Sequence, residues 1–180
     1  NLPFSVSRMG KTGDYYDDYN AAFQIDTSLK VPVYKKSKLV PGPESYPLPE
    51  WTKPFQESMF KEIGGMMGNL GSQKERSAFF APDKPELGVG PIICYESIYG
   101  EFVTEYVQKG ATLLFIITND GWWGNSPGHR QHFQYARLRA VETRRSIARS
   151  ANTGISGFIN QRGDVIQQTP YWEEAAISET

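Results

Sequence analysis

Two apolar runs separated by a single stretch of helical spacing limit what this chain can become. Gly90-Pro91-Ile92-Ile93-Cys94 reads as a short buried strand. Residues 97–109 follow with helical spacing and stop at Gly110, a residue type that tolerates the left-handed turn past a helix end. Thr112-Leu113-Leu114-Phe115-Ile116-Ile117-Thr118 then reads as a fully buried strand of the parallel type. Strand, helix, strand is the repeating unit of α/β folds. The flanking sequence fits the same class. Residues 19–25 and 31–34 read as strands around a turn, and residues 1–18 as a polar, turn-rich lead. Phe133, Ala136, Ala140, Ile147 and Ala148 recur at helical spacing and predict the longest helix over residues 131 to about 150. Residues 155–160 and 165–168 predict a hairpin. The order gives an α/β sandwich in a single domain, residues 1–180, with no internal repeats.

Composition narrows the function classes. With 180 residues and a net charge of -1, nothing in the chain is basic enough to suggest nucleic acid. A single cysteine excludes an internal disulfide framework. No apolar stretch approaches the roughly 18–20 residues of a membrane span. Residues 45–80 stand apart. Pro47, Pro49, Pro54, Gly64, Gly65, Gly68 and Gly71 argue against one long helix, while Met59, Phe60, Met66, Met67, Phe79 and Phe80 give the segment an adaptable apolar character. The segment reads as a lid-like insertion of short helical turns with exposed Met and Phe.

The chemistry centres on Cys94. A thiol where a strand meets a helical segment is held on rigid elements, with the following backbone N–H groups free to point at a reacting oxygen. The same residue also reads as a small buried hydrophobe behind two isoleucines. Two further strand ends carry polar residues: Tyr34-Lys35-Lys36-Ser37-Lys38-Leu39, and Thr118-Asn119-Asp120-Gly121-Trp122-Trp123-Gly124. Ligand sites of open α/β sheets lie at the carboxyl ends of strands. His129 and His132 are spaced as metal ligands on a helix can be, but no cysteine or acidic cluster accompanies them.

Taken together, these motifs resemble the nitrilase superfamily, which uses a Glu–Lys–Cys set, and within it the apolipoprotein N-acyltransferase branch. The resemblance rests on Tyr34-x-Lys36-x-x-Leu39-Val40-Pro41-x-x-Glu44, Cys94-Tyr95-Glu96, Asn119-Asp120-x-Trp122-x-Gly124, His132-Phe133-Gln134-x-Ala136-Arg137-x-Arg139-Ala140-x-Glu142 and Asn152-x-Gly154-Ile155. It implies a nitrilase-like α-β-β-α sandwich, lacking here its N-terminal strands. It implies that Cys94 is a nucleophile carrying an acyl thioester and that Lys36, placed within a few ångströms of it, faces the developing oxyanion. Glu44 would orient Lys36, although its spacing alone reads more simply as a surface turn after Pro43. Tyr95 would lend its backbone N–H to the oxyanion. Glu96 would hold the site from behind, or be a plain helix-start carboxylate. Trp122, Trp123 and Asn119 would line the substrate pocket, with simple packing the other reading of the tryptophans.

What the resemblance implies about function is an acyltransferase. The donor would be a phospholipid, and the acceptor the N-terminal amine of a diacylglyceryl apolipoprotein. The setting would be the periplasmic face of a bacterial inner membrane, and no metal or organic cofactor is called for. The family's base is a glutamate in a Pro-Glu pair ahead of the lysine. Residues 1–18 hold no glutamate, and Pro43-Glu44, Pro49-Glu50 and Pro85-Glu86 all come after Lys36. The expectation is a C-terminal fragment of the catalytic domain, inactive in isolation, with the base and the membrane helices outside it. Two rivals stand beside this reading: a soluble carbon–nitrogen hydrolase, and a truncated, non-catalytic binding domain.

Overall fold

The computed structural model describes residues 2–10, 13–45, 49–52 and 70–179. Among these described residues there are two sheets. The first is antiparallel, with β1 (Leu2–Gly10), β2 (Gly13–Phe23) and β3 (Val33–Lys35) in that spatial order. The turn-rich lead expected over residues 1–18 is therefore a long β ladder, running from Leu2 opposite Ala21 to Gly10 opposite Gly13. Gly10 and Gly13 punctuate the end of a hairpin rather than an open loop. The aromatic residues Tyr15, Tyr16 and Tyr19 supply strand propensity that the surrounding aspartates mask.

The second sheet has six strands: β4 (Phe79–Ala81), β5 (Lys84–Ile93), β6 (Leu113–Asn119), β7 (Ser146–Asn152), β8 (Gly157–Ile159) and β9 (Val165–Gln168), in spatial order. The central β5, β6 and β7 run parallel, and the outer pairings are antiparallel. Helices α1 (Gly100–Gln108) and α2 (Gly128–Thr143) make the crossovers. The α/β sandwich read from the order of elements is the fold observed.

One boundary is badly displaced from expectation. The helix expected to reach about residue 150 ends at Thr143, because Arg144 takes a left-handed φ of 53°. Residues 146–152 then form β7, paired with β6 from Leu113 opposite Ser146 to Asn119 opposite Asn152. Ile147 and Ala148 satisfy a helical period and a strand period equally. No glycine or proline marks the break, and the open edge of β6 is satisfied only by an extended partner.

The core lies between the helices and one face of this sheet. Phe102, Val103 and Tyr106 of α1 and Phe133, Ala136 and Ala140 of α2 bury against Ile92, Ile93, Leu114, Ile116 and Ile147. Strand β6 is not buried on both faces, as its apolar run suggested. Leu114 and Ile116 face the core, while Phe115 is 39% exposed. Phe115, Ile117, Ala148 and Phe158 line an open groove bordered by residues 175–177.

Much of the lid-like segment, including Met59, Phe60, Met66 and Met67, lies outside the described residues. Phe79 does not: it opens β4 and is buried at 7% exposure, contrary to the exposed side chain expected, while Phe80 on the alternate face is 42% exposed. The strand period sorts two neighbouring phenylalanines to opposite faces.

Candidate active site

The parallel strands β5, β6 and β7 end on one edge of the sheet, so Cys94, Asp120 and the turn after Asn152 share that edge. Strand β3 ends at Lys35, immediately before Lys36.

Cys94 is the first residue past β5 and opens a tight helical turn, Cys94–Ile98. The thiol is free and half-buried. Its backbone has a φ of 51°, a conformation that costs a non-glycine residue about 1–2 kcal/mol. Such strain persists where the surroundings over-determine it. Here the Ser97 hydroxyl donates to the Cys94 carbonyl at 2.8 Å, and the Tyr99 N–H donates to the Glu96 carbonyl at 3.2 Å. Strand β5 thus ends in a sharp elbow rather than running smoothly into a helix. Tyr95, the next residue, is half-buried and packs edge-on against Tyr99.

Lys36 is fully buried. Its ammonium donates to both Glu44 oxygens, at 2.8 and 2.7 Å. Glu44 also accepts the Val40 N–H at 2.7 Å and a hydrogen bond from the Asn20 side chain. The surface-turn reading of Glu44 is overturned. The prolines at 41 and 43 fold the loop back, and the carboxylate points inward, its side chain only 13% exposed. The neighbouring lysines go elsewhere. Lys35 lies over the Tyr19 ring at 3.8 Å, and the exposed Lys38 faces the rings of Tyr99 and Phe102.

Glu96 joins the two loops. Its Oε1 accepts from the Tyr34 hydroxyl at 2.7 Å, the Ser37 N–H at 2.6 Å and the Lys38 N–H at 3.2 Å. Its Oε2 accepts from the Ile93 N–H at 2.9 Å and the Tyr106 hydroxyl at 3.3 Å. One carboxylate therefore holds the backbone just after Lys36 and the backbone just before Cys94. Burial pushes Glu96 above the ordinary carboxylate range, against the downward pull of these donors. Burial likewise pushes the Tyr34 and Tyr106 phenols up, and the nearby Glu96 adds to it, so both stay protonated as donors. A plain helix-start carboxylate would be exposed; this one is completely enclosed.

The third strand end carries a short turn with local contacts. Asn119 Oδ1 accepts the Gly121 N–H at 3.1 Å, a local turn contact. Trp122 and Trp123, expected to line a pocket, are 46% and 44% exposed on the turn Gly121–Trp123, with Trp123 packed over Gly128. The two histidines part company. His129 stacks on Tyr171 at 3.6 Å, whereas His132 turns inward to Asp120. Asp120 accepts from His132 Nδ1 at 2.9 Å and from Arg149 Nη2 at 2.8 Å. Burial alone would push the Asp120 carboxyl up; the His132 hydrogen bond and the Arg149 guanidinium outweigh it and hold the group below the ordinary carboxylate range.

Asp120, Arg149 and Ser97 were not singled out from the sequence. Asp120 lies inside one of the motifs above, and Arg149 falls within the stretch expected to be helical. The usable signal was Gly154. A Cβ there would lie 2.5 Å from Asp120 Oδ2 and 2.8 Å from both Asp120 Cβ and Ala151 Cβ. Gly154→Ala is therefore expected to displace Asp120 and destabilise the fold by about 1–3 kcal/mol, measured by denaturant unfolding.

Residues 2–180 match the carbon-nitrogen hydrolase family. Apolipoprotein N-acyltransferase of Chlorobaculum tepidum is 34% identical over 168 residues, which is 93% of this chain and 32% of that protein. Its namesake in Bdellovibrio bacteriovorus is 35% identical over 161 residues, 87% of this chain and 28% of that protein. The chain thus spans about a third or less of the length of these relatives. Among solved structures, Saccharomyces cerevisiae Nit3, a nitrilase-superfamily member, superposes with a TM-score of 0.61 at 17% identity, over 94% of this chain and 55% of that one. The glutamine-dependent NAD+ synthetase of Acinetobacter baumannii gives 0.64 at 15% identity, over 96% and 30%. At these identities the two structures speak for the fold alone.

Proposed function

Because the chain belongs to the carbon-nitrogen hydrolase family, we propose that it is the catalytic part of an acyltransferase with Cys94 as nucleophile. The observation carrying this is the Glu96 carboxylate, which ties the loop of a buried Lys36–Glu44 pair to the elbow that bears Cys94. The names of the relatives supply the substrate class. The Cys94 sulfur attacks the ester carbonyl of a phospholipid. The C–O bond breaks, and the lysophospholipid leaves with a proton. The α-amine of a diacylglyceryl apolipoprotein then attacks the thioester. The C–S bond breaks, and the thiol regains the proton the amine gives up. Lys36 faces the oxyanion of each tetrahedral intermediate, and the Tyr95 N–H joins it.

Glu44 accepts four hydrogen bonds and Glu96 five, so neither is free to shuttle the proton. The base that the family resemblance implies is a further glutamate, a role commonly worth ~100- to 10,000-fold. Residues 1–180 alone are accordingly expected to turn over no phospholipid.

The site of action would be the outer face of a bacterial inner membrane. Among the described residues no helix is long and apolar enough to cross a membrane. Contact with lipid would come through residues 45–80. Replacing Phe60, Met66 and Met67 together by serine should leave unfolding nearly unchanged and weaken vesicle binding. Unfolding of that variant would mean that the three side chains are core.

The test of function is product identity in the protein expressed from its complete gene, given labelled phospholipid and a diacylated lipopeptide. Transfer yields an N-acyl lipopeptide, with parallel lines in double-reciprocal plots. A carbon–nitrogen hydrolase would instead cleave small amides and leave the lipopeptide unchanged. Cleavage of neither substrate would favour a non-catalytic role.

A further inference from the structure

We propose that His132 is a positioning residue for Cys94, the end of a buried relay that fixes the backbone of the elbow. This rests on the reading of Cys94 as nucleophile. The relay begins at Arg149, whose side chain is completely enclosed and donates to Asp120 Oδ2 at 2.8 Å. The other Asp120 oxygen receives His132 Nδ1 at 2.9 Å. That contact sets the plane of the imidazole and directs Nε2 away from the carboxylate. Nε2 lies 3.0 Å from the Ser97 hydroxyl and 3.3 Å from the Cys94 carbonyl. Ser97 in turn donates to the same carbonyl at 2.8 Å.

Serine, histidine and aspartate thus stand in the order of a hydrolase triad, but they do other work. Ser97 is 1% exposed and its hydroxyl is engaged with the Cys94 carbonyl, so it meets no substrate. The set converges on the backbone of the one residue at the end of β5 with a positive φ. A peptide unit held by its carbonyl fixes the direction of the Cα–Cβ bond and hence of the sulfur. The same peptide unit carries the Tyr95 N–H, so the relay orients nucleophile and oxyanion donor together. A misplacement of about 1 Å in such a pair costs ~100-fold in rate.

The two nitrogens of His132 can be separated by substitution. Asparagine mimics Nδ1 and keeps the Asp120 contact; glutamine mimics Nε2 and keeps the contact at Ser97 and the Cys94 carbonyl. In the protein expressed from its complete gene, the rate of Cys94 alkylation by iodoacetamide across pH is measured beside single-turnover acylation by phospholipid. His132→Asn is expected to slow both by ~10- to 100-fold with KM for phospholipid unchanged, and His132→Gln to retain both within about threefold. Ser97→Ala removes the direct donor while sparing the Arg149–Asp120 pair. It should remain folded and lose about tenfold in acylation. Equal losses in the Asn and Gln variants, or full activity in Ser97→Ala, would overturn the proposal. Alkylation needs no acyl donor. If the wild type forms no thioester yet the alkylation pattern holds, the acyltransferase reading fails and the positioning role stands.

Discussion

Replacing Lys36 by methionine is expected to reduce acyl transfer by about 100- to 1,000-fold or more, the scale on which removing a preorganised oxyanion partner acts. It should also destabilise the fold. Lys36 is fully buried, and the Glu44 side chain is only 13% exposed. Removing the ammonium leaves a carboxylate satisfied by Val40 and Asn20 but without a counter-charge. Breaking a buried pair in this way costs about 3–5 kcal/mol. The double variant Lys36→Met/Glu44→Gln separates the two effects. Glutamine removes the orphaned charge, so thermal stability should largely recover, while acyl transfer should not. Recovery of both would reduce Lys36 to a structural lysine.

Asp120→Asn is expected to cost a similar amount in stability, for the mirror-image reason. The Arg149 guanidinium is completely enclosed and would lose its counter-charge. The variant should also change the acid limb of the stability profile. Asp120 has a folded pKa below its ordinary value. Its contribution is therefore fully present above the ordinary aspartate range and is lost as pH falls through the depressed folded value. Urea unfolding between about pH 3 and pH 7 should show the wild type losing stability toward acid more steeply than Asp120→Asn. Parallel profiles would mean that Asp120 carries no charge-dependent stability.

The parts of this molecule that were legible in its sequence share a physical property: their local pattern and their tertiary role agree. Ile92-Ile93-Cys94 is apolar because it sits in the sheet centre, and Tyr95-Glu96 is polar because the strand ends there. Gly110 stops α1 with a φ of 95°. Where tertiary context decides, the pattern misleads. Residues 146–152 fit a helix until β6 is known to need a partner. Glu44 looks like a turn residue until the loop folds it onto Lys36. Ser97, Asp120, His132 and Arg149 are dispersed in sequence over several elements and converge only when β5, β6 and β7 align in parallel. Buried polar networks of this kind leave little periodic trace, since each member interrupts an otherwise apolar face.

The most direct test of the central claim is peptide mapping of the protein expressed from its complete gene, after incubation with phospholipid and no acceptor. The account predicts one fatty acyl mass on the peptide containing Cys94, removed by neutral hydroxylamine as a thioester is, and absent from Cys94→Ala. An acyl group on any other residue, or none on Cys94 while transfer to acceptor proceeds, would contradict it.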